Sequence, residues 1–199
     1  AIYFASIFSQ LWGRPELTEI QKTLYEELLR IRDEIGDSVK LEDTHRLLWL
    51  HLPPFYDSSL LDYVEVKCRA PIVFEEVNFI GWEPLDVNDP YRALAKKLLT
   101  VGFMDPALRV RSIVEGAKDV HYNGCILYNH GFGRCSMADS SLIKHLREEL
   151  NKAAVPLLVL DGDCVDTTID PCSTETKISA YVEALNEKKY GNIFGRLKQ

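Results

Sequence analysis

One short run concentrates the residues that could do chemistry: Asn129-His130-Gly131-Phe132-Gly133-Arg134-Cys135, directly after the apolar stretch Gly124-Cys125-Ile126-Leu127-Tyr128. Gly131 and Gly133 let the backbone turn sharply and approach a ligand closely. Cys135 follows them, and a helix beginning at Ser136 to Asp139 would turn its N–H groups and positive dipole end toward the sulfur, favouring a thiolate. The plain alternative is a buried free cysteine, the common fate of this residue. A second loop, after the apolar run 155–160, holds Cys164 and Cys172. Three thiolates from the two loops would suit an iron–sulfur cluster, although their spacing matches no local cluster signature. Cys125 in mid-strand and Cys68 late in a helix read as core or incidental. No Cys-x-x-Cys is present, which argues against a zinc knuckle.

The same residues admit other readings. Gly131-Phe132-Gly133-Arg134-Cys135-Ser136 fits a relaxed dinucleotide fingerprint, with Ser in place of the third glycine and Asp161 as a ribose ligand. Asp161, Asp163 and Asp166 could hold a divalent cation or serve as turn and cap residues. Arg134 and Lys177, near helix starts, are candidates for phosphate contacts against a background of solvated surface charge. His130 has no carboxylate or serine partner visible in the sequence, so a satisfied structural histidine outweighs a catalytic dyad. The candidate site read from the residues centres on Cys135, with Asn129, Gly131, Gly133, Arg134 and Lys177 as candidate cofactor contacts, and its role stays open between metal ligand, reactive thiol and buried cysteine.

The elements that must position these residues alternate. Leu17, Ile20, Leu24, Leu28, Ile31 and Ile35 recur every three or four residues, predicting one amphipathic helix over 15–36. Strands are expected at 46–52, where Pro53-Pro54 stops the run, and at 71–77, 124–128 and 155–160. Helices are expected at 57–69, at 90–100 with Asp89 as N-cap and Pro90 first, and at 105–119, 138–153 and 173–188. Strand–helix alternation implies parallel βαβ units with right-handed crossovers. The economical fold is a flavodoxin-like or Rossmann-like doubly wound four-stranded parallel sheet in order 2-1-3-4, with extra N-terminal helices. Its switch point would lie between strands one and three, rimmed by Pro53, Phe55 and Tyr56 on one side and residues 129–135 on the other.

Size and charge narrow the classes. The 199 residues fit one domain, and 46% hydrophobic with 27% charged residues is ordinary globular composition. A net charge of −7 argues against nucleic-acid binding, which needs a clustered basic surface. No apolar run has the length of a membrane span, and no signal peptide is visible. Five cysteines without secretory context predict a reducing, cytoplasmic compartment. The start, Ala1-Ile2-Tyr3-Phe4-Ala5-Ser6-Ile7-Phe8, has no initiator Met and reads as the inside of a helix. The chain is accordingly read as the C-terminal part of a longer protein: a helical segment over 1–40 leading from an upstream domain, then an α/β domain over 41–199.

The runs NGCILYNHGFGRCSMADSSLIKHLREEL, VPLLVLDGDCVD and TETKISAYVEAL, with FEEVNFIGWEPLDVNDPYRALAKKL upstream, resemble the C-terminal half of the 2-hydroxyacyl-CoA dehydratase and benzoyl-CoA reductase family. The likeness spans most of the chain from about Leu47. It implies an iron–sulfur subunit that pairs with a second homologous subunit and is charged with one electron by an ATP-hydrolysing activator. It further implies radical dehydration of a 2-hydroxyacyl-CoA to an enoyl-CoA, through a ketyl radical anion, or the related reduction of an aromatic ring. By that resemblance Cys135 is a ligand of a 4Fe-4S cluster whose other ligands lie outside this chain. Thr176, Lys177, Tyr181 and Glu183 match the motif opening the last helix, where the family more often has Arg than Lys.

Overall fold

Four short parallel strands carry the fold: β1 (Leu47–Leu50), β2 (Ile72–Glu75), β3 (Gly124–His130) and β4 (Leu157–Gly162), in the order β2-β1-β3-β4. They belong to a computed structural model that describes residues 14–35, 44–54, 57–78, 85–100, 105–117, 120–130, 140–163 and 171–196. The helices are α1 (Pro15–Ile35), α2 (Ser59–Asp62) running into a π turn at Tyr63–Lys67, α3 (Pro90–Thr100), α4 (Pro106–Gly116), α5 (Ser140–Lys152) and α6 (Pro171–Arg196). The predicted doubly wound sheet and its strand order are observed.

Strand composition follows from burial on both faces. β1 is Leu-Leu-Trp-Leu with no polar alternation, because neither face meets water. Leu48 and Leu50 of β1 and Cys125 and Leu127 of β3 point to one side, where Val110 and Ile113 of α4 and Leu142, Leu146 and Leu150 of α5 complete the core. Proline and aspartate set the entry of α4: Pro106 opens the helix, and the Asp105 carboxylate accepts from the Leu108 N–H at 2.8 Å. Asp89 caps α3 in the same way, accepting from Arg92 N at 3.3 Å.

Across the sheet, α6 comes so close that Gly124 has no room for a side chain. A Cβ there would lie 2.6 Å from Leu47 Cδ2 and 2.7 Å from the Tyr181 hydroxyl. That hydroxyl accepts from Cys125 N at 2.8 Å and donates to Pro156 O at 2.7 Å, tying β3 to the start of β4. Tyr63 and Ser179 share a 2.6 Å hydrogen bond that joins the π turn to α6. At the amino ends of the strands, His45 is buried with both ring nitrogens engaged. Asn123 Nδ2 donates to Nδ1 at 3.1 Å, and Nε2 donates to Asn186 Oδ1 at 2.8 Å. Asn123 Oδ1 in turn accepts from Arg46 N at 2.9 Å.

The boundaries differ from expectation where polar residues end a strand. β3 runs through Asn129 and His130, and β4 through Asp161 and Gly162, because these residues pair in register across the ladder. A hydrophobic pattern stops at the first polar side chain, whereas backbone pairing does not. The last helix likewise starts at Pro171 and extends to Arg196, beyond the predicted 173–188.

The chain divides into two units, Ala1–Thr44 and His45–Gln199. In the first, α1 forms as predicted, with Arg30 bridging Glu27 at 2.6 Å and Glu34 on its outer surface. Its apolar positions Ile20, Leu28 and Ile31 are exposed. The expectation of a helix over the first eight residues lies outside the described residues. Among those described, no helix is long and apolar enough to cross a membrane.

Candidate functional site at the carboxyl rim

The chain leaves β1 toward β2 on one side and β3 toward β4 on the other, so the β1–β3 seam is the topological switch point. Ligands of open parallel sheets bind beyond the strand ends at such a seam. Here it is filled by aromatic side chains. Trp49 and Tyr128 stack at 5.8 Å between centroids, Tyr128 meets His130 edge-on at 5.2 Å, and His130 lies 4.5 Å from the His51 ring. Two-residue periodicity puts Trp49 with His51, and Tyr128 with His130, on the same face.

Tyr128 fits only because its neighbour is glycine. A Cβ on Gly162 would sit 2.2 Å from Tyr128 Cζ, well inside van der Waals contact. The Tyr128 hydroxyl reaches Asp163 O at 3.3 Å.

β1 is stopped by a held turn. His51 has φ +71°, a left-handed conformation that non-glycine residues seldom adopt, and Pro53-Pro54 follows without N–H donors. The His51 N–H donates to Glu76 Oε2 at 2.9 Å. Glu76, just past β2, also accepts from Arg109 of α4, Nε to Oε1 at 2.5 Å and Nη2 to Oε2 at 2.7 Å. Both side chains are more than nine-tenths buried. A buried bidentate ion pair is costly to desolvate and more costly to break, so it fixes the backbone at the end of β1.

Two buried acceptors at the end of β3 have no hydrogen-bond partner among the described residues. His130 Nε2 donates to Leu52 O at 2.8 Å, which places the ring proton on Nε2 and leaves Nδ1 as a bare lone pair, buried and unpartnered. Asn129 donates from Nδ2 to Asp161 Oδ1 at 3.2 Å, while its Oδ1 is buried without a partner. Such orphaned groups cost about 1–3 kcal/mol each, and they concentrate where function needs them. Over Tyr128 opens a small hollow of about 20 Å³ lined by Pro54, Leu60 and Thr174, with Asp57 and Glu175 among its polar lining.

The sequence-predicted residues divide between described and undescribed. Gly131, Gly133, Arg134 and Cys135 lie outside the described residues, as do Cys164, Asp166, Phe55 and Tyr56. β3 delivers the chain to the carboxyl rim at His130, immediately before them. Asn129 and Asp161 are strand residues bonded to each other rather than loop residues. Lys177 is exposed, nearly two turns into α6 because that helix starts at Pro171. Cys125 is wholly buried in the core, and burial pushes its thiol well above the ordinary range. Cys68 is half-buried with its thiol raised by the same cause, and Cys172 is exposed. Among the described residues no group of three or more His, Cys, Asp or Glu could hold a metal ion. The described thiols therefore do not fit an iron–sulfur cluster.

Sequence reasoning missed His51, Glu76, Arg109 and Thr174, and took His130 for a satisfied histidine. One signal was available: Trp49-Leu50-His51 and Tyr128-Asn129-His130 are the same aromatic-x-His ending on two strands. The Glu76–Arg109 pair leaves no local pattern, because 33 residues separate its members.

A search among curated proteins gives no match to this chain. The sequence model of one family, described as 2-hydroxyglutaryl-CoA dehydratase, D-component, matches residues 1–185. That reach takes in α1 and everything before β1, more than the resemblance from Leu47 onward had covered. Nearly the whole chain is thus accounted for by one family, and the protein belongs to the 2-hydroxyglutaryl-CoA dehydratase D-component family.

Proposed function

We propose that this protein is a component of a 2-hydroxyacyl-CoA dehydratase-type enzyme that converts a 2-hydroxyacyl-CoA to the enoyl-CoA, with its carboxyl rim at the acyl-CoA. The family match over residues 1–185 carries the reading. Support comes from the rim itself: a switch-point seam, a small hollow beside it, and two buried acceptors at the end of β3 without a partner among the described residues.

The chemistry sets what the site must do. Hydroxide is a poor leaving group beside a thioester, and the β-proton is barely acidic, so an electron delivered to the carbonyl is needed before C2–O cleavage. An iron–sulfur cluster would supply that electron. Cys135 is proposed as one of its thiolate ligands, with the others contributed from outside the described residues. A second homologous subunit and an ATP-hydrolysing activator complete the assembly. This chain's own part is to hold the thioester and keep water out. His130 Nδ1 accepts a hydrogen bond from the bound substrate, and the Glu76–Arg109 pair keeps the end of β1, and so the His51 ring, in place against it.

The test is anaerobic reconstitution of the full-length protein with iron, sulfide, partner subunit and activator. A brown protein that forms enoyl-CoA, and loses iron in Cys135→Ser, is the expected result. A colourless protein without iron removes the cluster role, and an iron protein inert toward every 2-hydroxyacyl-CoA removes the dehydratase reading.

A further inference from the structure

The helix of the first unit turns an apolar seam to solvent. Along the 21 residues of α1, Leu17, Leu24 and Ile31 recur every seven positions, and Gln21 and Leu28 follow the first two of them by four. With Leu17, Leu24 and Ile31 at d and Gln21 and Leu28 at a, the heptad puts Ile20, Glu27 and Glu34 at g. Thr18, Tyr25 and Arg32 then stand at e. In an ordinary surface helix such a stripe faces the core. Here it does so only at its start. Leu17 is buried and Leu24 half-buried, but Ile20, Tyr25, Leu28 and Ile31 are 47%, 63%, 55% and 37% exposed. All four stand at a, d, e or g, the positions that meet across a coiled-coil seam.

Charge on the flanks says what fits the seam. In a parallel two-stranded pair, a g residue reaches the e residue five positions later on the other helix. Glu27 would then meet Arg32 of a second copy, and Ile20 would meet Tyr25 of that copy. One spacing thus gives an ion pair and an apolar pair. An antiparallel pair brings g against g and sets Glu27 opposite Glu27, a contact of like charges. Within one chain Glu27 pairs with Arg30 at 2.6 Å and Arg32 with Asp33 at 2.7 Å, all on exposed side chains. Surface pairs of that kind are exchanged at little cost. Gln21 puts one polar side chain at an a position, a device that fixes register at some loss of stability.

We infer that α1 is a self-association helix, through which two copies of this chain pair in parallel and in register over Ile20 to Ile31. The inference is independent of the dehydratase reading and of the homologous subunit which that reading invokes. A seam of Gln21, Leu24, Leu28 and Ile31 is short, so the pair is weak and forms as concentration rises.

Sedimentation of the full chain should show monomer giving way to dimer through the micromolar range. Leu28→Glu should keep the chain monomeric at the highest concentration, with an unchanged circular dichroism spectrum because Leu28 is a surface residue. Gln21→Leu should tighten the dimer by about tenfold or more. Glu27→Arg should weaken it by about tenfold, since both symmetric ion pairs become contacts of like charge. Adding Arg32→Glu restores the attraction with the signs exchanged and should bring the affinity back to within about threefold of the unaltered chain. Monomer at every concentration, a dimer that Leu28→Glu leaves intact, or equal affinities in the single and double charge variants overturns the inference. Sedimentation reads no turnover, so none of these results bears on the dehydratase reading.

Discussion

The two ends of the β1–β3 pair carry the same residue types in opposite conditions. At the amino end, His45 and Asn123 satisfy each other, and Asn186 and Arg46 N complete the set. At the carboxyl end, His130 bonds Leu52 O through one nitrogen, and among the described residues its other nitrogen and the carbonyl oxygen of Asn129 are buried without a partner. A buried polar group without a partner weakens the fold. The histidine and asparagine of the amino end are thus satisfied, although Arg46 Nε there is also buried without a partner among the described residues, and the proposed function gives the acceptors of the carboxyl end a ligand.

Mutation should separate the two ends. The largest effect is expected beneath the rim. Arg109→Met leaves Glu76 buried and unpaired, and chemical denaturation should show a loss of about 3–5 kcal/mol. Next, Tyr181→Phe removes the hydroxyl that serves Cys125 N and Pro156 O, for a loss of about 1–3 kcal/mol. His45→Phe should lose less, about 0.5–1.5 kcal/mol, because its partners Asn123 and Asn186 are exposed and can turn to water. His130→Gln is the contrasting substitution. Glutamine can keep the donor to Leu52 O, so stability should change by less than about 1 kcal/mol. Turnover should nevertheless fall about tenfold or more through loss of the Nδ1 acceptor. Equal stability losses at His45 and His130, with activity intact in both, would erase the distinction between the ends.

The smallest effect concerns pH. Burial raises both the Cys125 thiol and the Tyr181 hydroxyl, so each stays protonated in the folded chain at pH values where the unfolded chain ionises. Their contribution is fully present below the unfolded values and is lost as pH climbs from those values toward the raised folded ones. Stability should fall above about pH 8.5, by at most about 1.4 kcal/mol per pH unit per group. Cys125→Ala should flatten the earlier part of that decline, which denaturation curves at stepped alkaline pH would show.

How much of this was legible in the sequence follows from where the information sits. Sheet order and helix starts are written locally, in the apolar run of β1, the Asp105-Pro106 and Asp89-Pro90 caps, and the spacing along α1. The strand ends were misplaced because Asn129, His130, Asp161 and Gly162 break the hydrophobic pattern while continuing the ladder. The site was half legible. The end of β3 was singled out for its glycines and Cys135, but the residues that shape the described rim are held by distant partners. His51 N reaches Glu76 across 25 positions, and His130 reaches Leu52 across 78. Thr174 becomes notable only when α6 folds over Tyr128. Pairings of that range require the assembled sheet.

Everything proposed here for catalysis turns on acyl-CoA binding at the carboxyl rim between β1 and β3. A crystal structure of the reconstituted protein with an unreactive acyl-CoA tests it most directly. The prediction is a thioester at the seam, its C2 hydroxyl donating to His130 Nδ1 and its acyl chain over Tyr128. An acyl-CoA bound at the amino edge near His45, or on a helix face away from the seam, would contradict it.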